Sequence, residues 1–415
     1  MTTMDDLINK LLKDKKIKYG NTKSNHNKEK AKLGHGGYGS VYDVEVEMQN
    51  NKTKSYAMKQ IIIKQEDKNK FDNAIKQTDK ELSLCLNIKH RYIIRSKYKF
   101  QTEELHNDNN HQKTFLLLMD KAEYTNLSLF TKALCAKTNN NNEMNLCIFD
   151  AARKDKEGQY EWFKRMNEHL VVYFMKQLLY GIEYLHRNFL IHLDLKPLNV
   201  LISKGMELKI CDFSLTSYVN FLDRNSNDKL ITLKYSTFPF MGPEYFDNNK
   251  QILRKYIPNV DIYSLGVMLY GLLFANRTFG KKWDSKNLPT KEDVENVIKD
   301  KLDEIDSDKY ISNKCKDFFN KVLLQDITKR KDVYDLLEHP WINNNNEEFD
   351  ICLLVNDDFS KKLIIESIKC GIDKRQIESC KGKSNTLKNS KYNEHGFKRR
   401  KGFAKIKANF NPKVK

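Results

Sequence analysis

The sequence predicts an α+β fold in two lobes, a small β-rich lobe with one main helix over residues 28–122 and a larger, mainly helical lobe over 123–342. Three observations carry that prediction. Between Leu33 and Met119 the apolar residues fall in short β-branched and aromatic runs, interrupted by one helical pattern at Asp79–Ile88. From Trp162 to Asn188 the spacing becomes that of an amphipathic helix, with Leu170, Phe174, Leu178 and Leu185 on one face. Directly after it, Val200–Ile202 and Leu208–Ile210 flank Lys204-Gly205 and read as a hairpin that brings its two polar ends together.

Composition bounds what such a fold can serve. At 415 residues and 40% hydrophobic content the chain has material for a sizeable core, and its Asn-rich runs at 139–142 and 343–346 read as solvated insertions. The eight cysteines are scattered without a CxxC pair, which points to reduced thiols rather than a disulfide or zinc scaffold. The first residues lack an apolar signal core and no run of 18 apolar residues occurs, so the expectation is an intracellular, cytoplasmic protein with no transmembrane segment. Of the net charge of +18, residues 381–415 carry +11, from ten lysines and two arginines against one glutamate. That concentration marks a basic, disordered tail. Contact with nucleic acid or an anionic membrane, or a nuclear location, is the competing reading of the tail. Residues 1–27 read as a polar leader and 343–380 as a helical extension in two short pieces split by Gly371.

In the small lobe, Gly34, Gly36 and Gly39 form G-x-G-x-x-G, with Gly37 inside it. The next apolar residues, Val41, Val44 and Val46, are strand-like, so these glycines belong to a hairpin turn whose amides can cover phosphates, not to the opening of a dinucleotide-binding helix. Lys59 lies in the apolar strand Tyr56-Ala57-Met58-Lys59, where an ammonium needs a partner. Glu81, on the helical pattern that buries Leu82, Cys85 and Leu86, is the candidate; an ordinary surface pair is the plain alternative. Strands at Tyr92–Phe100 and Thr114–Met119, joined by a polar loop, complete a five-stranded lobe.

The larger lobe opens with an insertion at about 135–160 that has no clear period. After the hairpin, residues 212–244 form a loop longer than structure alone requires, holding Thr216, Ser217, Ser226, Thr232, Ser236 and Thr237. Asp261–Leu269 is nearly all apolar and therefore a buried helix, in which Asp261 is either an N-cap or an anchor for backbone amides. Further helical patterns occur at Lys291–Glu304, Asp317–Leu324 and Val333–Leu337, closing on His339-Pro340-Trp341-Ile342.

The hairpin ends carry the chemistry. Asp194 and Asn199 stand at one end and Asp212 at the other, two carboxylates and a carboxamide, with Cys211 the lone thiol beside them and no CxxC or paired His spacing. Hard oxygen donors of this kind suit Mg²⁺ and phosphate better than zinc, unless these residues merely shape turns.

Taken in order, these motifs resemble the eukaryotic protein kinase family over residues 32–342. Gly34–Val41 is similar to its glycine loop, Ala57-Met58-Lys59 to the strand of its ATP-positioning lysine, with Glu81 as partner. His192–Asn199 resembles the catalytic loop, Asp212-Phe213-Ser214 the metal motif, and Gly242-Pro243-Glu244 the end of the activation segment, with Arg330 as the partner of Glu244. The resemblance implies a bilobal kinase fold and an ATP-dependent serine/threonine kinase with Mg²⁺, or Mn²⁺ in its place. It casts Asp194 as the residue that takes or orients the acceptor proton, Lys196 as counter-charge, Thr237 as their brace, and Asn199 and Asp212 as metal ligands. It lines the nucleotide pocket with Leu33, Val41, Ala57, Met119, Asp120, Ala122 and Leu201. The ending resembles the SNF1-like branch of the calmodulin-dependent group, and the extension faintly resembles a ubiquitin-associated domain.

The sequence departs from the family at three places. Leu193 stands where the family has an arginine that receives a loop phosphate, Ser214 replaces the glycine of the metal motif, and Ser96 takes a normally apolar position linking the lobes. These departures motivate an alternative, a pseudokinase scaffold with little or no transfer. Protein substrates are implied; the uncharged Asn126 and Leu198, where basic-directed relatives carry acids, predict no strong basic preference, and the basic charge of the chain suits acidic substrates at least as well.

Overall fold

The computed structural model describes residues 17–19, 31–36, 39–47, 52–65, 68–105, 111–131, 152–154, 160–162, 166, 168–221, 229–233, 236–247, 249–274, 279, 288–309 and 311–343. The helical extension and basic tail expected from the sequence lie outside these residues.

The small lobe is an antiparallel sheet of six strands: β1 (Ile17–Tyr19), β2 (Lys32–Gly36), β3 (Gly39–Glu47), β4 (Thr53–Lys64), β5 (Ser96–Leu105) and β6 (His111–Asp120), ordered β1-β3-β4-β6-β5 with β2 also on β3. The sixth strand is β1, which lies inside the stretch read as a polar leader. It pairs Ile17–Tyr19 with Val44–Val46 and buries Tyr19 edge-on to Tyr42. Three residues are too few for a periodic signal.

One helix, α1 (Lys68–Asn87), crosses the sheet. It begins a good ten residues before the pattern at Asp79 because Phe71 and Ile75 extend the buried stripe by one residue per turn, amid charged neighbours that hide it. β5 starts at Ser96 rather than Tyr92 for a different reason. Residues 92–94 lie along the second strand of the hairpin, with Ile94 N–H donating to Ile210 O and Ile210 N–H to Tyr92 O, both at 2.9 Å.

The larger lobe is built on α2 (Glu168–Arg187) and α3 (Pro258–Leu273). In α3 every residue except Gly271 is buried, as its all-round apolarity requires. Of the helices that follow, α5 (Asn313–Val322) packs on α3, α4 (Lys291–Ser307) on α5, and α6 (Val333–Leu337) and α7 (Pro340–Asn343) on α2. α4 carries a capping box between Thr290 and Asp293, and Ser312 and Asp332 cap α5 and α6. A two-strand piece, β7 (Ala152–Lys154) with β8 (Tyr160–Trp162), lies within and just beyond the insertion. No helix among the described residues is long and apolar enough to cross a membrane.

An ion pair fixes the end of the long loop to this core. Arg330 donates to both carboxylate oxygens of Glu244 at 2.8 and 2.7 Å, lies 4.9 Å over the Tyr263 ring, and donates to the Leu324 carbonyl at 2.8 Å. A Cβ on Gly242 would sit 2.5 Å from the Glu244 carboxylate, so that glycine admits the pair.

Candidate active site

Beyond the short strand β9 (Leu190–Ile191), the hairpin is β10 (Val200–Ser203) on β11 (Glu207–Ile210), registered Val200↔Ile210. Cys211 N–H donates to Asn199 O at 2.9 Å, so the segments holding Asn199 and Asp212 leave the hairpin side by side. Leu193 and Asp212 have φ of 65° and 63°, a region costly for residues with a Cβ. Their surroundings hold them there. Asp261, fully buried, accepts from the backbone N–H of His192 and Leu193 at 2.9 Å each and faces His186 Nε2 at 2.9 Å, so it is the anchor and not an N-cap. Burial pushes its pKa up, but His186 and the other donors outweigh that and hold it below the usual aspartate range. His192 extends the brace, accepting from Asp194 N–H at Nδ1 and meeting Cys211 O with Nε2.

Asp194 receives four donors. Lys196 Nζ at 2.7 Å and Asn199 Nδ2 at 3.0 Å reach Oδ2; Thr237 Oγ1 at 2.8 Å and Ser236 Oγ at 3.0 Å reach Oδ1. Lys196 Nζ also donates to Thr237 Oγ1 at 2.7 Å, so Thr237 touches both residues it was expected to brace. Ser236 is a contact that sequence reasoning did not single out. It is one of seven Ser and Thr hydroxyls in the long loop, and only folding distinguishes it.

Lys59 is the meeting point of the lobes. Its ammonium lies 3.2 Å from Glu81 on α1 and 3.1 Å from Asp212 beyond the hairpin. Burial lowers its pKa, yet the Asp212 and Glu81 charges more than offset this and raise it above the ordinary lysine value. At Asp212 burial pushes up and the Lys59 charge prevails, so its carboxyl titrates below its usual range. Glu81 goes the other way, raised by burial despite Lys59. The nearby thiols of Cys85 and Cys211 are both pushed up by burial, Cys85 to about 12, which makes them packing groups and not nucleophiles.

The remaining expected residues lie on the sheet, just after β6 and on the hairpin. Ala57 pairs with Met119 and Val41 with Lys59 across the sheet, and Leu201 lies on the hairpin; Val41 and Leu201 pack against the core that contains Ala57 and Met119. Asp120 meets Lys97 at 3.3 Å at the end of β6, and Ala122 follows it half-buried. Leu33, beside Gly34, is 51% exposed. Gly36 and Gly39 pair at the turn of the glycine hairpin; Gly37 lies outside the described residues. Gly39 has φ of 129° and a Cβ there would sit 2.2 Å from Gln60 O, so no other residue fits.

A cation fits this donor set in one way. Among the described residues no three His, Cys, Asp or Glu side chains gather as a cage. Asp212 is one-third exposed, and Asn199 spends its amide nitrogen on Asp194, leaving the carboxamide oxygen. One carboxylate and one carbonyl oxygen suit a hard cation whose other ligands are phosphate and water.

Known proteins share this architecture. The family model described as the protein kinase domain matches residues 27–342. An SNF1-related protein kinase catalytic subunit of Arabidopsis thaliana is 29% identical over 44% of this chain and 33% of its own length. The serine/threonine-protein kinase atg1 of Dictyostelium discoideum is 30% identical over 45% of this chain and 25% of its own. The serine/threonine-protein kinase ULK3 of Homo sapiens is 30% identical over 41% and 33%. The match thus spans a quarter to a third of these relatives. With a family match over the whole two-lobed region, the chain belongs to the protein kinase family.

Proposed function

We propose that this chain is an ATP-dependent serine/threonine protein kinase, moving the γ-phosphoryl group of ATP to hydroxyls of protein substrates. The observation that carries this reading is Lys59 held at once by Glu81 and Asp212, which joins the phosphate-facing strand, α1 and the metal motif in one arrangement. Lys59 orients the α and β phosphates, and the glycine hairpin covers them with backbone amides. Asp212 and Asn199 would hold Mg²⁺, which would supply positive charge to the phosphates. Asp194 accepts the acceptor proton, and Lys196 faces the transferred group. Lys196 and its contact with Thr237 favour serine and threonine acceptors.

Leu193 also bears on regulation. It packs against an apolar cluster with Val219, Leu233 and Met241, so hydrophobic burial holds the loop where an arginine would need a phosphate. Strand pairs Ser217–Tyr218 with β9, and Leu230–Thr232 with Gln251–Leu253, hold it further. This favours transfer without loop phosphorylation and weighs against the scaffold alternative.

The purified chain with labelled ATP and Mg²⁺ is expected to transfer label, while Asp194→Asn and Lys59→Met lose about 100-fold or more. Equal incorporation in all three would remove the kinase reading. Nucleotide binding with no transfer in any would favour the scaffold.

Substrates without a basic preference follow from the site. Asn126 spends its side-chain oxygen on Leu129 N–H, and Leu198 presents an exposed apolar side chain. A positional-scanning peptide array is expected to give neutral or acidic selection before the phosphosite. Strong arginine selection there would overturn this part.

A further inference from the structure

A carboxylate offers about four good acceptor positions, and on Asp194 all four are taken. An incoming hydroxyl that is to give its proton to Asp194 must therefore displace one donor.

Three of the four are tied down. Lys196 carries charge and also holds Thr237. Asn199 donates to the Asp194 carbonyl at 2.8 Å as well as to its carboxylate. Thr237 is fixed between Asp194 and Lys196. Ser236 differs. Among the described residues its hydroxyl has the single partner Asp194 Oδ1, at 3.0 Å. Its backbone is pinned separately, N–H to Met241 Sδ at 3.2 Å, so rotation about χ1 frees Oδ1 without moving the chain.

We propose that Ser236 gates the acceptor site: its hydroxyl occupies, in the resting enzyme, the place on Asp194 Oδ1 that the substrate hydroxyl takes, and rotates away to admit it. The inference rests on the kinase reading. A site competent only in a fraction of molecules weakens apparent acceptor affinity by that fraction, while saturating acceptor restores the full rate. The gate therefore acts on the KM for acceptor, whereas a residue that merely braces Asp194 would act on kcat. ATP does not compete with Ser236, so its KM stays put.

The test is steady-state kinetics of the full chain with ATP, Mg²⁺ and a degenerate serine/threonine peptide mixture, for wild type, Ser236→Ala, Ser236→Thr and Asp194→Asn. Ser236→Ala is expected to lower the peptide KM about three- to tenfold, the change falling on KM rather than kcat. Ser236→Thr keeps the hydroxyl and is expected to keep the wild-type KM, which separates the gate from any effect of packing. An unchanged peptide KM in Ser236→Ala, or a fall in kcat with no fall in KM, overturns the gate while leaving the kinase reading in place. Wild type and Ser236→Ala both at the Asp194→Asn background would remove the kinase reading itself, and the gate with it.

Discussion

Two ion pairs organise this molecule, and they are built for opposite ends. The Glu244–Arg330 pair is sealed: the Arg330 side chain has no exposure and that of Glu244 5%, and Arg330 nitrogens also donate to backbone carbonyls. The Lys59 cluster is open on one side, with the Asp212 side chain 33% exposed and the Glu81 pKa raised. A sealed pair has its hydrogen bonds met and cannot trade partners. The open one has a cation shared between two carboxylates and room for a further charged group. The difference separates a clamp that sets where the long loop ends from a cluster with room for a further charged group, as the proposed function requires.

Cutting each pair should expose this contrast in stability. Arg330→Ala leaves Glu244 buried without its counter-charge, and the expected loss is about 3–5 kcal/mol in denaturant unfolding. Lys59→Met removes a buried ammonium along with its pairing, and the carboxylates left behind can reach water or take up a proton. The expected loss there is only about 1 kcal/mol or less, despite the large loss of transfer. Comparable losses in the two variants would mean that the Lys59 cluster is also a structural clamp.

The same contrast explains what the sequence made legible. The residues of the open site carry recognisable spacing, since each was marked by a polar group set in an apolar run: Lys59 in its strand, Asp194 and Asn199 before the hairpin, Asp212 after it. The one main helix, the hairpin and the buried helix at Asp261 were visible through periodicity, and the fold class came with them. Local pattern could not reach features made by distant contact. Ile17–Tyr19 becomes a strand only because Val44–Val46 offers an edge, and residues 92–94 leave β5 because Ile210 binds them. Ser236 finds Asp194 across 42 positions, which no spacing rule encodes. Whether Asp261 caps or anchors was likewise open until the amides of His192 and Leu193 arrived at its carboxylate.

The smallest effect tests how far the sealed character extends where the lobes meet. His90 stacks on Tyr184 at 4.9 Å and accepts from Tyr92 N–H at 3.3 Å, a role open only to the neutral ring. Burial, with Arg187 and Lys209 nearby, lowers its pKa from 6.5 to about 4. A folded-state value below the unfolded one gives stability that is complete above pH 6.5 and lost as pH falls toward 4. Asp212 and Asp261, with lowered values, lose their contributions only below the ordinary aspartate pKa of 3.8. Glu81 and Glu183, with raised values, act in the opposite sense, since protonating them relieves a buried charge. The measurement must therefore be a difference: melting of wild type against His90→Phe at pH 7.5 and at pH 5. The variant keeps a stacking ring but cannot titrate, so it should lose less on acidification, by on the order of 1 kcal/mol once solvent screening of the partly exposed ring is discounted. Parallel losses in the two proteins would mean that His90 is solvated enough to titrate normally, and that the junction between the lobes is as open as the Lys59 site.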